Sequence, residues 1–114
     1  MDRADRYDAG MFGMIGRMVA APGRRDELLA ILVRGSGGGD GGMPGCLSYV
    51  VAADRADPDG IWVTEVWDSK DSHDASLSLP RVQAAITEAR PLIAGFDRGA
   101  ETDVRGGVGL PLPP

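Results

Sequence analysis

A single cysteine, Cys46, and a single histidine, His73, set the first limits on this 114-residue chain. One cysteine permits no internal disulfide and no cysteine-based zinc site, and one imidazole beside it leaves a protein-only transition-metal centre short of ligands. Aromatic residues are scarce, two each of Trp, Tyr and Phe. There is no basic run: 12 Lys and Arg are scattered among 17 Asp and Glu, for a net charge of −5. Nucleic acids and anionic membrane surfaces are both bound through clustered cations, so the composition argues against either partner. No apolar run approaches the ~20 residues that span a bilayer. The polar opening MDRADRYDAG carries no signal-peptide apolar core. A cytoplasmic protein is the expectation.

What remains is the profile of one ordinary globular domain, 43% apolar. Residues 1–10 read as a solvated, flexible leader, 11–104 as the folded domain, and the Gly/Pro-rich 105–114 as an extended tail. Met11 to Ala20 (MFGMIGRMVA) is an apolar run broken by Arg17 and stopped at Pro22-Gly23, which suits a buried strand. Leu28, Ile31, Leu32 and Gly35 then fall at helical spacing behind Asp26 and Glu27, predicting an amphipathic helix. Gly35–Gly42 is a flexible connector. Its Gly37-x-Gly39-x-x-Gly42 matches a dinucleotide-binding pattern, but it follows a helix and leads into a strand, the reverse of the required context.

Two alternating runs, 46–54 and 61–68, flank the turn signal Asp57-Pro58-Asp59-Gly60 and predict an antiparallel hairpin. In the first, alternation puts Cys46, Ser48 and Val50 on one side and Leu47, Tyr49 and Val51 on the other. Asp68 or Ser69 caps a short helix to about Leu77, Pro80 opens another that Pro91 ends, and Leu92 to Val104 holds a last strand. The order β-α-β-β-α-β, with its second helix broken in two, is the ferredoxin-like α+β arrangement, an antiparallel sheet with helices on one face. The bare second face would expose more apolar surface than soluble monomers tolerate, which points to a homodimer.

The chain's rarest chemistry stands at one strand-to-helix corner. Trp67 ends a strand and, by period two, shares a face with Glu65, Val63 and Ile61; His73 follows six residues later. A carboxylate beside a large aromatic can accept a proton, or it can simply pair with an arginine while the indole packs. Near the first turn of its helix, His73 is disfavoured as imidazolium by the helix dipole, which leaves a neutral ring to relay a proton; a surface histidine is the plain alternative. Arg17 holds an anionic substrate oxygen if it faces inward, or snorkels at the sheet edge. Tyr49 offers a hydroxyl to a ligand or packs in the core. No G-x-S-x-G elbow occurs among the serines.

These residues resemble the antibiotic biosynthesis monooxygenase family, in which small quinol and anthrone monooxygenases are found. The features that carry the likeness are the Met14-Ile15 strand start, Ala21-Pro22-Gly23, Pro44-Gly45-Cys46-Leu47-Ser48-Tyr49, Glu65-x-Trp67, and Ser72-His73-x-x-Ser76-Leu77. The resemblance, over roughly residues 11–97, implies a dimeric α+β barrel that oxygenates an electron-rich aromatic with O2 and no metal or flavin cofactor. It implies Trp67 and His73 as catalytic residues, with Glu65, Tyr49 and Arg17 binding substrate. The related haem-degrading enzymes use an asparagine, and this chain has none, which disfavours haem as substrate. A non-catalytic ligand-binding or accessory protein, and an isomerase, decarboxylase or cyclase on the same scaffold, are the alternative functions.

Overall fold

The computed structural model describes residues 10–36 and 42–110. The expected leader, the middle of the Gly-rich connector with most of its Gly37-x-Gly39-x-x-Gly42 pattern, and the end of the tail fall outside them. Among the described residues the elements run β1 (Met11–Ala20), α1 (Arg25–Gly35), β2 (Cys46–Ala53), β3 (Gly60–Trp67), α2 (Lys70–Ser76), α3 (Pro80–Ala89) and β4 (Ile93–Val104), with a 3-10 turn at Arg90–Leu92. The strands form one antiparallel sheet in the order β2-β3-β1-β4. This is the ferredoxin-like architecture, its second helix split into α2 and α3. None of the described helices is long and apolar enough to cross a membrane.

Period-two alternation decides which side of each strand is covered. On β3, Ile61, Val63 and Trp67 are buried under the helices, while Thr64 on the opposite face is exposed. α1 lays Leu28 and Ile31 onto the sheet, and α3 with the turn after it adds Ala89 and Leu92. A second, separate cluster of Phe12, Met43 and Trp67 lies at the far end of the sheet. Each large side chain fully buried in this way contributes about 1.5–3 kcal/mol of transfer free energy. Tyr49 is half-buried and touches both clusters.

The strict alternation expected of β2 is broken. Cys46 lies opposite Trp67 but Ser48 opposite Val66, so Leu47 is an extra residue, a β-bulge. The bulge turns Cys46 to the helix side, where it packs beside Tyr49 against the Trp67 cluster. A pattern read by parity alone places Cys46 and Tyr49 on opposite faces; one inserted residue reverses that.

Arg17 lies on the face away from the helices, opposite Trp62 and Arg98, and is 7% exposed. It neither snorkels nor turns inward. Its guanidinium donates to Asp54 at 3.2 Å, to Asp97 at 2.5 Å, and to Asp57. A bulge between Arg17 and Met18 on the register with β4 sets Asp97 beside Arg98 on this face. Asp54 also accepts from the Trp62 indole N–H at 2.9 Å and from the backbone N–H of Ala56 at 2.7 Å. Gly60 makes the arrangement possible, since a Cβ there would lie 2.5 Å from Arg17 Nη2 and 2.9 Å from Asp54 Cβ. Arg25 fastens the same turn from the other side by donating to the carbonyls of Asp54 and Asp57.

Backbone and side-chain donors together hold the Asp54 carboxyl down at about 2, from an ordinary 3.8. A carboxylate depressed in the folded state stabilises above its unfolded pKa, and that stabilisation disappears as pH falls through the folded value. Thermal unfolding followed from pH 5 to pH 2 therefore shows a decline beginning near pH 4. The Asp54→Asn variant starts less stable and declines less steeply; parallel curves for the two proteins refute the assignment.

Candidate active site

Between the two core clusters the helices stand off the sheet and leave a cavity of about 610 Å³. Met18, Tyr49, Glu65 and Trp67 supply its strand floor, and Leu32, His73, Val82, Ala85 and Ile86 much of its helical wall. The surface is mostly apolar with a few convergent polar groups, the usual character of a small-molecule site.

Trp67 is 1% exposed, and a buried indole N–H needs an acceptor. Glu65, two residues earlier and therefore on the same face, provides it: Trp67 Nε1 donates to Glu65 Oε1 at 2.9 Å. The strand repeat alone thus delivers a carboxylate to the cavity floor with one oxygen already engaged.

His73 is placed by the start of α2. Ser69 caps the helix, its hydroxyl accepting from the Ser72 N–H at 3.1 Å. The Pro44-Gly45 turn abuts the same spot, with the Asp68 N–H bonded to the Gly45 carbonyl at 2.8 Å. Gly45 has φ +85°, and a Cβ there would lie 2.5 Å from Ser72 Oγ, so only glycine admits this approach. The imidazole then stands edge-on to Trp67, centroids 5.4 Å apart at 84°, and is flanked by Phe12 at 5.8 Å.

His73 Nδ1 lies 2.9 Å from Asp74 Oδ1. The His73 hydrogen bond is the foremost reason that the Asp74 carboxyl is lowered from its usual range, so Asp74 is ionised at neutral pH and can only accept. Nδ1 must therefore carry a proton, which in the neutral ring leaves the lone pair on Nε2. His73 is the fourth of the seven residues of α2.

Tyr49 pairs across the sheet with Glu65. Burial first, and the Glu65 charge second, push its phenol well above the ordinary value of 10. It is a neutral hydroxyl at every physiological pH, a donor with no side-chain hydrogen bond among the described residues.

Of the five residues singled out by sequence, Trp67, His73, Glu65 and Tyr49 converge on one cavity, and Arg17 lies across the sheet from it, engaged by three carboxylates. Three neighbours escaped notice. Asp74 follows His73 directly, and adjacent helical positions do not ordinarily face each other. Phe12 is remote in sequence. Arg90, which lines the cavity, carried no signal beyond its proximity to the helix-ending Pro91. Among the described residues no group of three or more His, Cys, Asp or Glu side chains is arranged to hold a metal ion.

The model of a family described as antibiotic biosynthesis monooxygenase matches residues 11–88. A crystal structure from Chloroflexus aurantiacus J-10-fl, provisionally named as an antibiotic biosynthesis monooxygenase, is 60% identical, with TM-score 0.83 over 89% of this chain and 99% of that one. A protein from Caulobacter crescentus CB15 with the same provisional name is 20% identical, with TM-score 0.77 over 90% and 96% of the two chains. SnoaB from Streptomyces nogalater, a cofactor-independent oxygenase solved as a point variant, is 17% identical, with TM-score 0.71 over 88% and 98%. At such identities the last two speak to the fold alone. None of the curated proteins matches the chain.

The state of Tyr49 is directly measurable. In alkaline titration followed by phenolate absorbance, the difference between wild type and Tyr49→Phe has its midpoint well above pH 10. A midpoint at the ordinary value would mean that the phenol is solvated, not enclosed beside Glu65.

Proposed function

The chain belongs to the antibiotic biosynthesis monooxygenase family, and from that membership we propose that it oxidises a small electron-rich aromatic, a quinol or anthrone, using O2 without metal or flavin. The observation that carries this reading is the apolar cavity whose few polar groups include Glu65, the Tyr49 hydroxyl and His73, the last backed by Asp74 from outside the lining. Such substrates supply their own electrons, so the protein has to supply a dry chamber, a proton acceptor and orientation.

Desolvation against Trp67, Leu32 and Val82 raises the energy of a phenolate or carbanion, and a donor at its oxygen offsets part of that cost. Tyr49, held as a phenol, is that donor. His73 Nε2 takes the proton from the acidic carbon or hydroxyl, and Asp74 stabilises the imidazolium formed, as a carboxylate behind a catalytic histidine does. The substrate anion passes one electron to O2, and the radical and superoxide recombine into a peroxide. Returned protons let a methylene-derived hydroperoxide lose water, one oxygen atom staying as the new carbonyl and the other leaving as water. Glu65 keeps the indole fixed and serves as a second, weaker acceptor at the floor.

The sheet face turned from the helices carries Ile15 and Val50, 39% and 53% exposed, beside Trp62 and Val66. Two copies packed on this face would cover that patch, and a homodimer is part of the proposal.

Two measurements bear on these readings. With a hydroquinone or anthrone and no added metal or flavin, the protein takes up O2, His73→Ala lowers kcat by about 10²–10⁴-fold, and Trp67→Phe lowers it less. Undiminished turnover in the doubly substituted protein removes the site assignment. By sedimentation equilibrium the protein has twice the 11.9 kDa of one chain, and Ile15→Asp with Val50→Asp shifts it to the monomer; a wild-type monomer ends the dimer proposal.

A further inference from the structure

The chain has two phenylalanines, and the fold treats them oppositely. Phe12 is buried beside Trp67, whereas Phe96 is 71% exposed although it lines the cavity. Leu77 and Ile86, which line the cavity from the helical side, are also exposed, so these three side chains form an apolar mouth. Phe96 lies opposite Met18, on the sheet face that carries the helices. The sheet-to-sheet dimer proposed above uses the other face and leaves Phe96 in water. Its exposure forgoes most of the free energy that burial of such a ring releases, and apolar groups clustered around a concavity mark a binding surface.

The backbone at this point is irregular. Ala20 lies opposite Ile93 but Val19 opposite Gly95, and Met18 opposite Phe96 but Arg17 opposite Arg98, which makes Ala94 and Asp97 extra residues. Bulges bend a strand and re-aim its side chains, and they recur beside active sites. One of the two is fastened, because Asp97 accepts from Arg17 Nη1 at 2.5 Å on the far face of the sheet. The residue next to Phe96 is thereby tied to the Arg17 network. Distance bears on what reaches the mouth. Glu65 lies opposite Met14 and Phe96 opposite Met18, four residues along β1, about 13 Å at ~3.3 Å per residue. A single hydroxylated ring held at Tyr49 and Glu65 stops short of Phe96, whereas several fused rings span the interval.

We propose that Phe96 is an aromatic clamp, stacking on the outermost ring of a fused polycyclic ligand whose hydroxylated ring lies at the Tyr49–Glu65–His73 end. This deepens the oxygenase reading and rests on it for which ring faces inward. An aromatic pair gains more than the area it buries, so Phe96 is a specificity residue that selects ligands whose far ring is flat. Asp97 is a positioning residue: its bond to Arg17 holds the bulge that presents Phe96 to the ligand.

Two probes that share the inward ring and differ at the mouth test this without turnover. They are dihydroxyanthracene and its tetrahydro derivative, in which the far terminal ring is saturated. Binding of each is measured anaerobically through quenching of tryptophan fluorescence. The wild type binds the fully aromatic probe about threefold to tenfold more tightly. Phe96→Leu, which keeps an apolar side chain, brings the two affinities together, and Phe96→Tyr keeps them apart. Asp97→Ala loses the preference, while Asp97→Asn, still an acceptor for Arg17, retains it. Equal wild-type affinities, no binding of the aromatic probe, or a preference that survives Phe96→Leu overturns the clamp; an unchanged preference in Asp97→Ala overturns the positioning role. Conversion of a wild-type dimer to a monomer by Phe96→Ser assigns the ring to a subunit contact and also overturns the clamp. O2 uptake separates the two ideas. Phe96-dependent preference without any uptake refutes the oxygenase and keeps the clamp, while uptake with a preference indifferent to Phe96→Leu refutes the clamp and keeps the oxygenase.

Discussion

The burial of one indole organises the site. Trp67 ends β3 inside the protein, and its N–H can be satisfied there only by a group brought in on the same strand face. Glu65 is that group, so hiding the largest side chain of the fold and putting a carboxylate on the cavity floor are one event. The indole stands in a T-shaped contact with His73, and Phe12, beside the indole in the same cluster, also lies against the imidazole. A smaller residue at position 67 would leave both a void and a buried carboxylate without its donor, a combination that cores tolerate poorly.

Two polar assemblies occupy opposite faces of the sheet and have opposite characters. Around Arg17 nearly every donor has a partner: three carboxylates, an indole N–H and a fastened turn. Such a network holds shape, and charges that neutralise one another offer little to a ligand. Around Tyr49, His73 and Glu65 the satisfaction is partial: a phenol without a side-chain acceptor, an imidazole nitrogen with a free lone pair, a carboxylate engaged at one oxygen. Incomplete pairing next to an apolar cavity is what distinguishes a site from a strut. Both groups contain titratable residues with displaced pKa values, so displacement alone would not have told them apart.

Periodicity made the architecture legible. Every element but the weakly patterned last strand follows from apolar spacing and from Gly, Pro and Ser punctuation, and the split of the second helix is visible in Pro80 alone. The convergence of Glu65, Trp67, His73 and Tyr49 was legible too, since all four are set by strand parity or by a cap. The departures have a common origin in register. A bulge at Leu47 reversed the facing of Cys46, and another brought Asp97 to Arg17, neither carrying a signal in the local pattern. Arg17 read as a ligand anchor because a lone cation in an apolar strand demands a counter-charge. The counter-charges were already in the chain, 37, 40 and 80 residues away. Arg90 was missed because an arginine after a helix is ordinary until the cavity beside it is known.

The bulge at Leu47 has a consequence for the durability of the protein. By turning Cys46 inward it sets the chain's sole sulfhydryl against the Trp67 cluster, where burial first and the Glu65 charge second push the thiol up from its ordinary value. Peroxides attack thiolates and spare thiols. The carboxylate that steadies the indole thus also favours the protonated, less nucleophilic form of its neighbour.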